Sequence, residues 1–142
     1  MTVVEGIVEH GDARGRTIGF PTANLAICDP GVEDGVWAAQ IRVDSDQWAV
    51  AAVSVGRRRT FYTGQGPRLL EAHLLDFNGD LYGRTMRVEL TVKLRGQQSF
   101  SSIQTLMDQL HRDVEATRAW ALIHCPWLLS TQGSTNWERA LV

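Results

Sequence analysis

Cysteine, proline and tyrosine are scarce in this 142-residue chain, with 2, 4 and 2 copies. Surplus charge of either sign and long apolar runs are scarcer still. Cys28 and Cys125 lie far apart and belong to no CxxC or Cys/His pattern, so a disulfide scaffold and a zinc site are both disfavoured. They read as two reduced thiols without a shared role. A formal net charge of -2 argues against nucleic-acid binding, which depends on clustered surplus Lys and Arg. The longest apolar stretches are far too short to span a bilayer. Met1 runs straight into a strand-like segment, with no basic and apolar leader ahead of it, so the expected compartment is the cytoplasm. No membrane partner is expected, and the default assembly is a monomer. No repeat or low-complexity segment interrupts the chain, and its length suits one domain with a sizeable core.

What is there is mostly β-pattern. Val3 to Glu9 alternates and leads into a glycine loop, His10-Gly-Asp-Ala-Arg-Gly15. Gly35 to Val43 and Trp48 to Val55 are apolar and rich in β-formers, and the polar Asp44 to Gln47 between them predicts a hairpin. Leu69 to Asp76 is a further strand, followed by Asn78-Gly79, a strong two-residue hairpin signal. Met86, Val88, Leu90, Val92 and Leu94 alternate with Arg87, Glu89, Thr91 and Lys93, which predicts one apolar face along the whole strand. The period then becomes helical through Ile103, Leu106, Met107, Leu110 and Val114. Ser101 with Gln104 suggests a capping box, and Pro126 should stop the helix. Several short strands followed by a helix predict an all-β barrel with a helix packed against it, over residues 1–125. The tail, 126–142, has no clear pattern; a short helix from Asn136 and a frayed end are both open.

Four features bear on chemistry. Glu71 shares a strand face with His73 and Leu75, opposite Leu70, Ala72 and Leu74. Desolvation there would raise a carboxylate's pKa and suit a general base, although a solvent-facing or arginine-paired Glu fits equally. In Gly19-Phe-Pro-Thr-Ala-Asn24, Pro21 favours extended backbone, so Thr22 and Asn24 project to one side as hard oxygen donors suited to Mg²⁺. They also suit ordinary turn hydrogen bonds. Gly11 and Gly15, with Arg14 and Arg16, make a loop able to line phosphates, but without the Gly-Lys-[Ser/Thr] of a Walker motif; a plain turn fits as well. Arg57, Arg58 and Arg59 read as a solvated loop, as a phosphate clamp or as partners of Glu71.

Together these pieces resemble a known family. The stretch from His10 to Leu25 is similar to the signature of the riboflavin kinases, and Leu70 to Gly83 resembles that family's second hallmark. Leu94-Arg95 with Phe100 and the helix is similar to the third, so the resemblance runs from about Val4 to Arg118. It implies a six-stranded antiparallel Greek-key barrel with a C-terminal helix. It also implies phosphorylation of the riboflavin 5′-hydroxyl by MgATP to give FMN. Thr22 and Asn24 would hold Mg²⁺ and the ATP phosphates, with Gly11, Arg14, Gly15, Arg16, Thr17, Gly19 and Pro21 around the nucleotide. Glu71 would be the catalytic base. Arg95, Phe100 and the helix start would border the flavin, and the segment from Asp76 to Tyr82 the adenine.

Two departures stand out. The family's usual Gly-Thr-Arg/Asn-Pro-Thr-Phe is here Gly56-Arg-Arg-Arg-Thr-Phe61, with Arg57 for threonine and Arg59 for proline. The adenylyltransferase domain that precedes the barrel in many bacterial relatives has no room in this chain, so FMN is the expected end product. Two rival readings share the barrel: a non-catalytic flavin- or nucleotide-binding regulatory module, and a kinase acting on a modified flavin.

Overall fold

A computed structural model describes residues 1–9, 22–57, 68–77 and 79–129. The glycine loop from His10 to Gly15, the segment 16–21, Arg58, Arg59, Asn78 and the tail 130–142 lie outside the described residues. Six strands are present: β1 (Thr2–Ile7), β2 (Thr22–Ala26), β3 (Gly35–Val43), β4 (Gln47–Arg57), β5 (Arg68–Leu75) and β6 (Thr85–Arg95). The helix α1 (Ile103–His124) follows, then a short 3₁₀ turn at Pro126–Leu128.

All pairings are antiparallel, in the order β1-β6-β3-β4-β5-β2. Strands β3, β4 and β5 run side by side and β6 returns beside β3, which is the Greek-key arrangement. The sheet curls until its two edges meet. Glu9, just beyond β1, bridges Asn24 of β2, its amide donating to the Asn24 carbonyl at 2.8 Å. This curled six-stranded barrel with one C-terminal helix is the expected fold.

Alternation decides what each face does. Ile41 and Val43, Val53 and Val55, Leu70 and Leu74, and Met86 and Val88 point inward and form one continuous core. The opposite face of β4 and β5 carries Val50, Ala52 and Leu75, which pack with Val114, Ala121 and Cys125 of the helix side. Trp120, Leu128 and Leu129 flank that second cluster. The helix therefore covers only part of the outer face, and Ile7, Trp48 and Val92 of the strands remain exposed.

Three expectations need correction. The Asn78-Gly79 signal does not make a hairpin, because β5 and β6 are separated in the sheet by β4 and β3. The connection instead crosses the barrel end, where the Gly83 amide donates to Val8 O and the Val8 amide to Arg84 O, both at 2.9 Å. A turn dipeptide specifies a local reversal, while strand neighbours are set by which faces can be buried together. The single apolar face of β6 holds through Leu90 and then breaks. Register shifts against β3 fall between Ala38 and Ala39 and between Val36 and Trp37, and Val92 is 40% exposed. Extra residues at such bulges reverse the side-chain alternation. Gly35 accommodates the close approach there: its φ is +148°, and a Cβ would lie 2.9 Å from the Arg95 carbonyl oxygen.

The capping box exists, shifted by one residue. Ser102 is the N-cap, its hydroxyl accepting from the Thr105 amide at 3.1 Å while the Ser102 amide donates to Thr105 Oγ1 at 3.2 Å. Of the apolar residues expected to face the barrel, Val114 is buried, Leu106, Met107 and Leu110 are half-buried, and Ile103 is 74% exposed. The hairpin at Asp44 and the helix stop ahead of Pro126 are as expected.

Candidate active site

Strands β2 and β5 pair so that Thr22 lies opposite His73 and Asn24 opposite Glu71. Directly opposed residues of an antiparallel pair share a face, with Cβ atoms about 5 Å apart. Ladder pairing therefore gathers Thr22, Asn24 and Glu71 on the outer face, although 46 residues separate the last two in sequence. On the far side of β5, β4 places Ser54 opposite Glu71 and Ala52 opposite His73.

The environment of these groups is uneven. Asn24 is 4% exposed and its amide oxygen has no hydrogen-bond partner among the described residues. A buried acceptor left without a donor is costly, and a hard, neutral oxygen is what a Mg²⁺ ion or a hydroxyl donor would complete. Thr22 and Asn24 thus fit a cation of that kind. The Glu71 side chain is 21% exposed and the His73 side chain 4%. Their nearest approach, His73 Nε2 to Glu71 Oε1, is 3.2 Å. It is close enough for a hydrogen bond yet not aligned as one, since neither ring nitrogen is satisfied.

Arg95 and Phe100 stand elsewhere. The cross-sheet row runs Asn24, Glu71, Ser54, Val36, Arg95, which puts Arg95 three strands from Glu71, roughly 14 Å along the sheet. Its guanidinium is engaged on the helix, donating from Nε and Nη2 to the two carboxylate oxygens of Asp113 at 2.8 and 2.7 Å. It also lies 5.9 Å from the Phe100 ring centroid, a cation–π distance. Tyr82 is 54% exposed on the β5–β6 connection, held by its amide donating to Asp80 Oδ1 at 3.0 Å. That connection is hydrogen-bonded to Val8, next to Glu9 at the end of the first described stretch.

Arg57 ends β4 opposite Arg68, three residues or about 10 Å along the strand from the row of Glu71. It borders a polar surface cleft of about 340 Å³ with Asp34, Gly56, Gln97, Gln98 and Ser99. Gly11, Arg14, Gly15, Arg16, Thr17, Gly19 and Pro21 fall outside the described residues. Glu9 and Thr22, which flank that segment, both stand at the β1–β2 seam beside Asn24.

Sequence reasoning passed over two participants. Ser54 carries a legible signal, an outward polar residue in an otherwise apolar alternating strand. Gln97 carries none, yet its amide donates to Ser54 Oγ at 3.0 Å and Val55 O at 2.8 Å, fastening the β6–α1 connection to β4 beside Glu71.

Comparison with known proteins identifies the family. A family model described as riboflavin kinase, Flavokinase, matches residues 1–121. The bifunctional riboflavin kinase/FMN adenylyltransferase of Pseudomonas fluorescens is 40% identical over 119 residues, covering 83% of this chain and 38% of that protein. The crystal structure of riboflavin kinase from Trypanosoma brucei superposes with a TM-score of 0.60 at 26% identity, over 89% of this chain and 82% of that one. A Streptococcus pneumoniae structure described as a macrolide-efflux protein gives a TM-score of 0.69 at 42% identity, over 83% of this chain and 38% of its own. The chain spans 35% to 38% of the length of the bifunctional relatives from Bacillus subtilis and Pseudomonas fluorescens. The matched span takes in the whole strand ladder that brings Thr22, Asn24 and Glu71 together, and the chain belongs to the riboflavin kinase family.

Proposed function

We propose that this chain transfers the terminal phosphate of ATP to the 5′-hydroxyl of riboflavin, giving FMN and ADP. The observation that carries the reading is the buried, unpartnered Asn24 oxygen directly across the β2–β5 ladder from Glu71 in a riboflavin kinase family member. Glu71 accepts the proton of the hydroxyl as its oxygen attacks the terminal phosphorus, while the bond to the ADP oxygen breaks in line. Thr22 and Asn24 would hold Mg²⁺, which would supply charge neutralisation on the phosphates. The fixed strand ladder supplies the rest, since phosphoryl transfer depends chiefly on positioning.

Gly11, Arg14, Gly15, Arg16, Thr17, Gly19 and Pro21 are proposed to enclose the nucleotide, with Tyr82 at its adenine end. Arg95, Phe100 and the half-buried apolar start of α1 are proposed to border the flavin ring. The separation of Arg95 from Glu71 suits an elongated acceptor whose ring lies far from its reacting hydroxyl. The catalytic unit is placed in residues 1–125, acting as a monomer in the cytoplasm where ATP is at hand. No helix among the described residues is long and apolar enough to cross a membrane.

The test is incubation with riboflavin, ATP and Mg²⁺ and chromatography of the flavins. FMN is expected, lost on chelation, and reduced on the order of 10²- to 10⁴-fold by Glu71→Gln, the usual range for a general base. Near-normal turnover in that variant would remove Glu71 from the chemistry. Saturable quenching of riboflavin fluorescence without FMN would favour a binding module instead.

A further inference from the structure

His73 is a buried polar group that the mechanism above does not use. By register its side chain stands between Thr22 of β2 and Ala52 of β4, and Leu75 follows it on the same face. Ala52 and Leu75 belong to the apolar cluster beneath α1, so His73 sits at the border between that cluster and the polar row of Asn24 and Glu71. Packing alone does not account for a histidine there. A leucine or methionine would fill such a place without burying two ring nitrogens, both of which lack an aligned hydrogen bond among the described residues. One of them, Nε2, is nevertheless 3.2 Å from Glu71 Oε1. Hydrogen bonds of catalytic groups are often long or poorly aligned in the free enzyme and tighten when substrate is bound.

We propose that His73 is a positioning residue for the transfer, its neutral imidazole donating from Nε2 to Glu71 Oε1 and fixing that carboxylate where it meets the acceptor hydroxyl. The inference rests on the reading of Glu71 as the base. Glu71 and His73 are separated by one residue of the same strand, so the backbone holds both at constant spacing. A carboxylate on a rotatable two-methylene stem has several rotamers, and a buried ring donor selects one of them. Misplacement of a reacting group by even an ångström can cost on the order of a hundredfold in rate.

The experiment compares His73→Leu, His73→Gln, Glu71→Gln and the double variant His73→Leu with Glu71→Gln, in the same FMN assay with melting temperatures measured alongside. His73→Leu is expected to lower kcat on the order of tenfold to a hundredfold while the KM values for ATP and riboflavin move less than about twofold. Its melting temperature should be unchanged or raised. His73→Gln, whose amide nitrogen reaches about where Nε2 stood, should recover most of the loss. Added to Glu71→Gln, His73→Leu should cost nothing further, because residues that act through one another are not additive. ¹⁵N NMR of the wild-type imidazole should show the tautomer protonated at Nε2. Equal losses in both His73 variants, an undiminished kcat in His73→Leu, or full additivity with Glu71→Gln would each overturn the proposal. FMN formation by a protein whose His73 is protonated at Nδ1 would overturn this inference alone. No FMN from the wild type would overturn the kinase reading and the inference with it.

Discussion

At the scale of single residues, environment separates groups of the same type. Cys28 is exposed and Cys125 is fully buried. Desolvation pushes the Cys125 thiol above its ordinary value of 9.0. The sign of the consequence follows from linkage. The unfolded chain releases this proton at lower pH than the folded one, so the contribution to stability is complete below about pH 9 and declines as pH rises above it. Denaturant melts at pH 8 and pH 10 should show a smaller alkaline loss in Cys125→Ala than in the wild type; an identical loss would show that the thiol does not contribute. Ellman's reagent should titrate one thiol among the described residues of the native protein, Cys28, and reach Cys125 only on unfolding. Asp44 shows a residue type chosen by backbone: its φ is +54°, a region that Asp tolerates, and its carboxylate accepts from Arg84 Nε at 2.9 Å.

At the scale of elements, two ion pairs set how α1 lies on the sheet. Arg95 of β6 grips Asp113, and Arg118 of the helix donates to both carboxylate oxygens of Asp76 at 2.8 and 3.1 Å. The hydrogen bonds that Arg118 donates to the Asp76 carboxylate hold its guanidinium protonated even above its ordinary range. The Asp113 side chain is 5% exposed and that of Arg95 15%, so removing one partner leaves a largely buried charge uncompensated. Asp113→Ala is therefore expected to destabilise by about 3 kcal/mol, measured by urea denaturation. A loss below about 1 kcal/mol would mean the pair is merely a surface bridge. Because Arg95 lies on the edge proposed for the flavin, the same variant should also weaken riboflavin binding. Much at this scale was legible in the sequence: strand and helix identities follow from period, and Pro126 marks the helix end. The cap was displaced by one residue: Ser101 has the usual Gln at its third position, whereas Ser102, whose backbone is extended, closes the box with Thr105.

At the scale of the whole molecule, one core joins all six strands, so its loss should be felt everywhere at once. Leu70 is fully buried, in register with Leu25 on one side and Val55 on the other. Leu70→Ala is expected to cost about 3 kcal/mol, through lost transfer energy and the cavity left behind. Near- and far-UV circular dichroism should still fall together in a single transition. Separate transitions for strands and helix would show that the second cluster under α1 folds independently.

By itself the sequence determined the class of fold, the positions of most strands, the helix, and the identity of Thr22, Asn24 and Glu71 as candidates. Alternation, turn chemistry and composition are local properties, and the riboflavin kinase motifs are contiguous stretches that need no coordinates to be seen. Only the tertiary structure decided which strands are neighbours, and so that Asn24 faces Glu71 and that β5 does not pair with β6. It also set the reversal of faces in β6 beyond Leu90 and the burial of His73 beside Glu71. Those outcomes depend on curling one sheet until its edges meet, and the free energy for that comes from burying faces together, which no local pattern specifies.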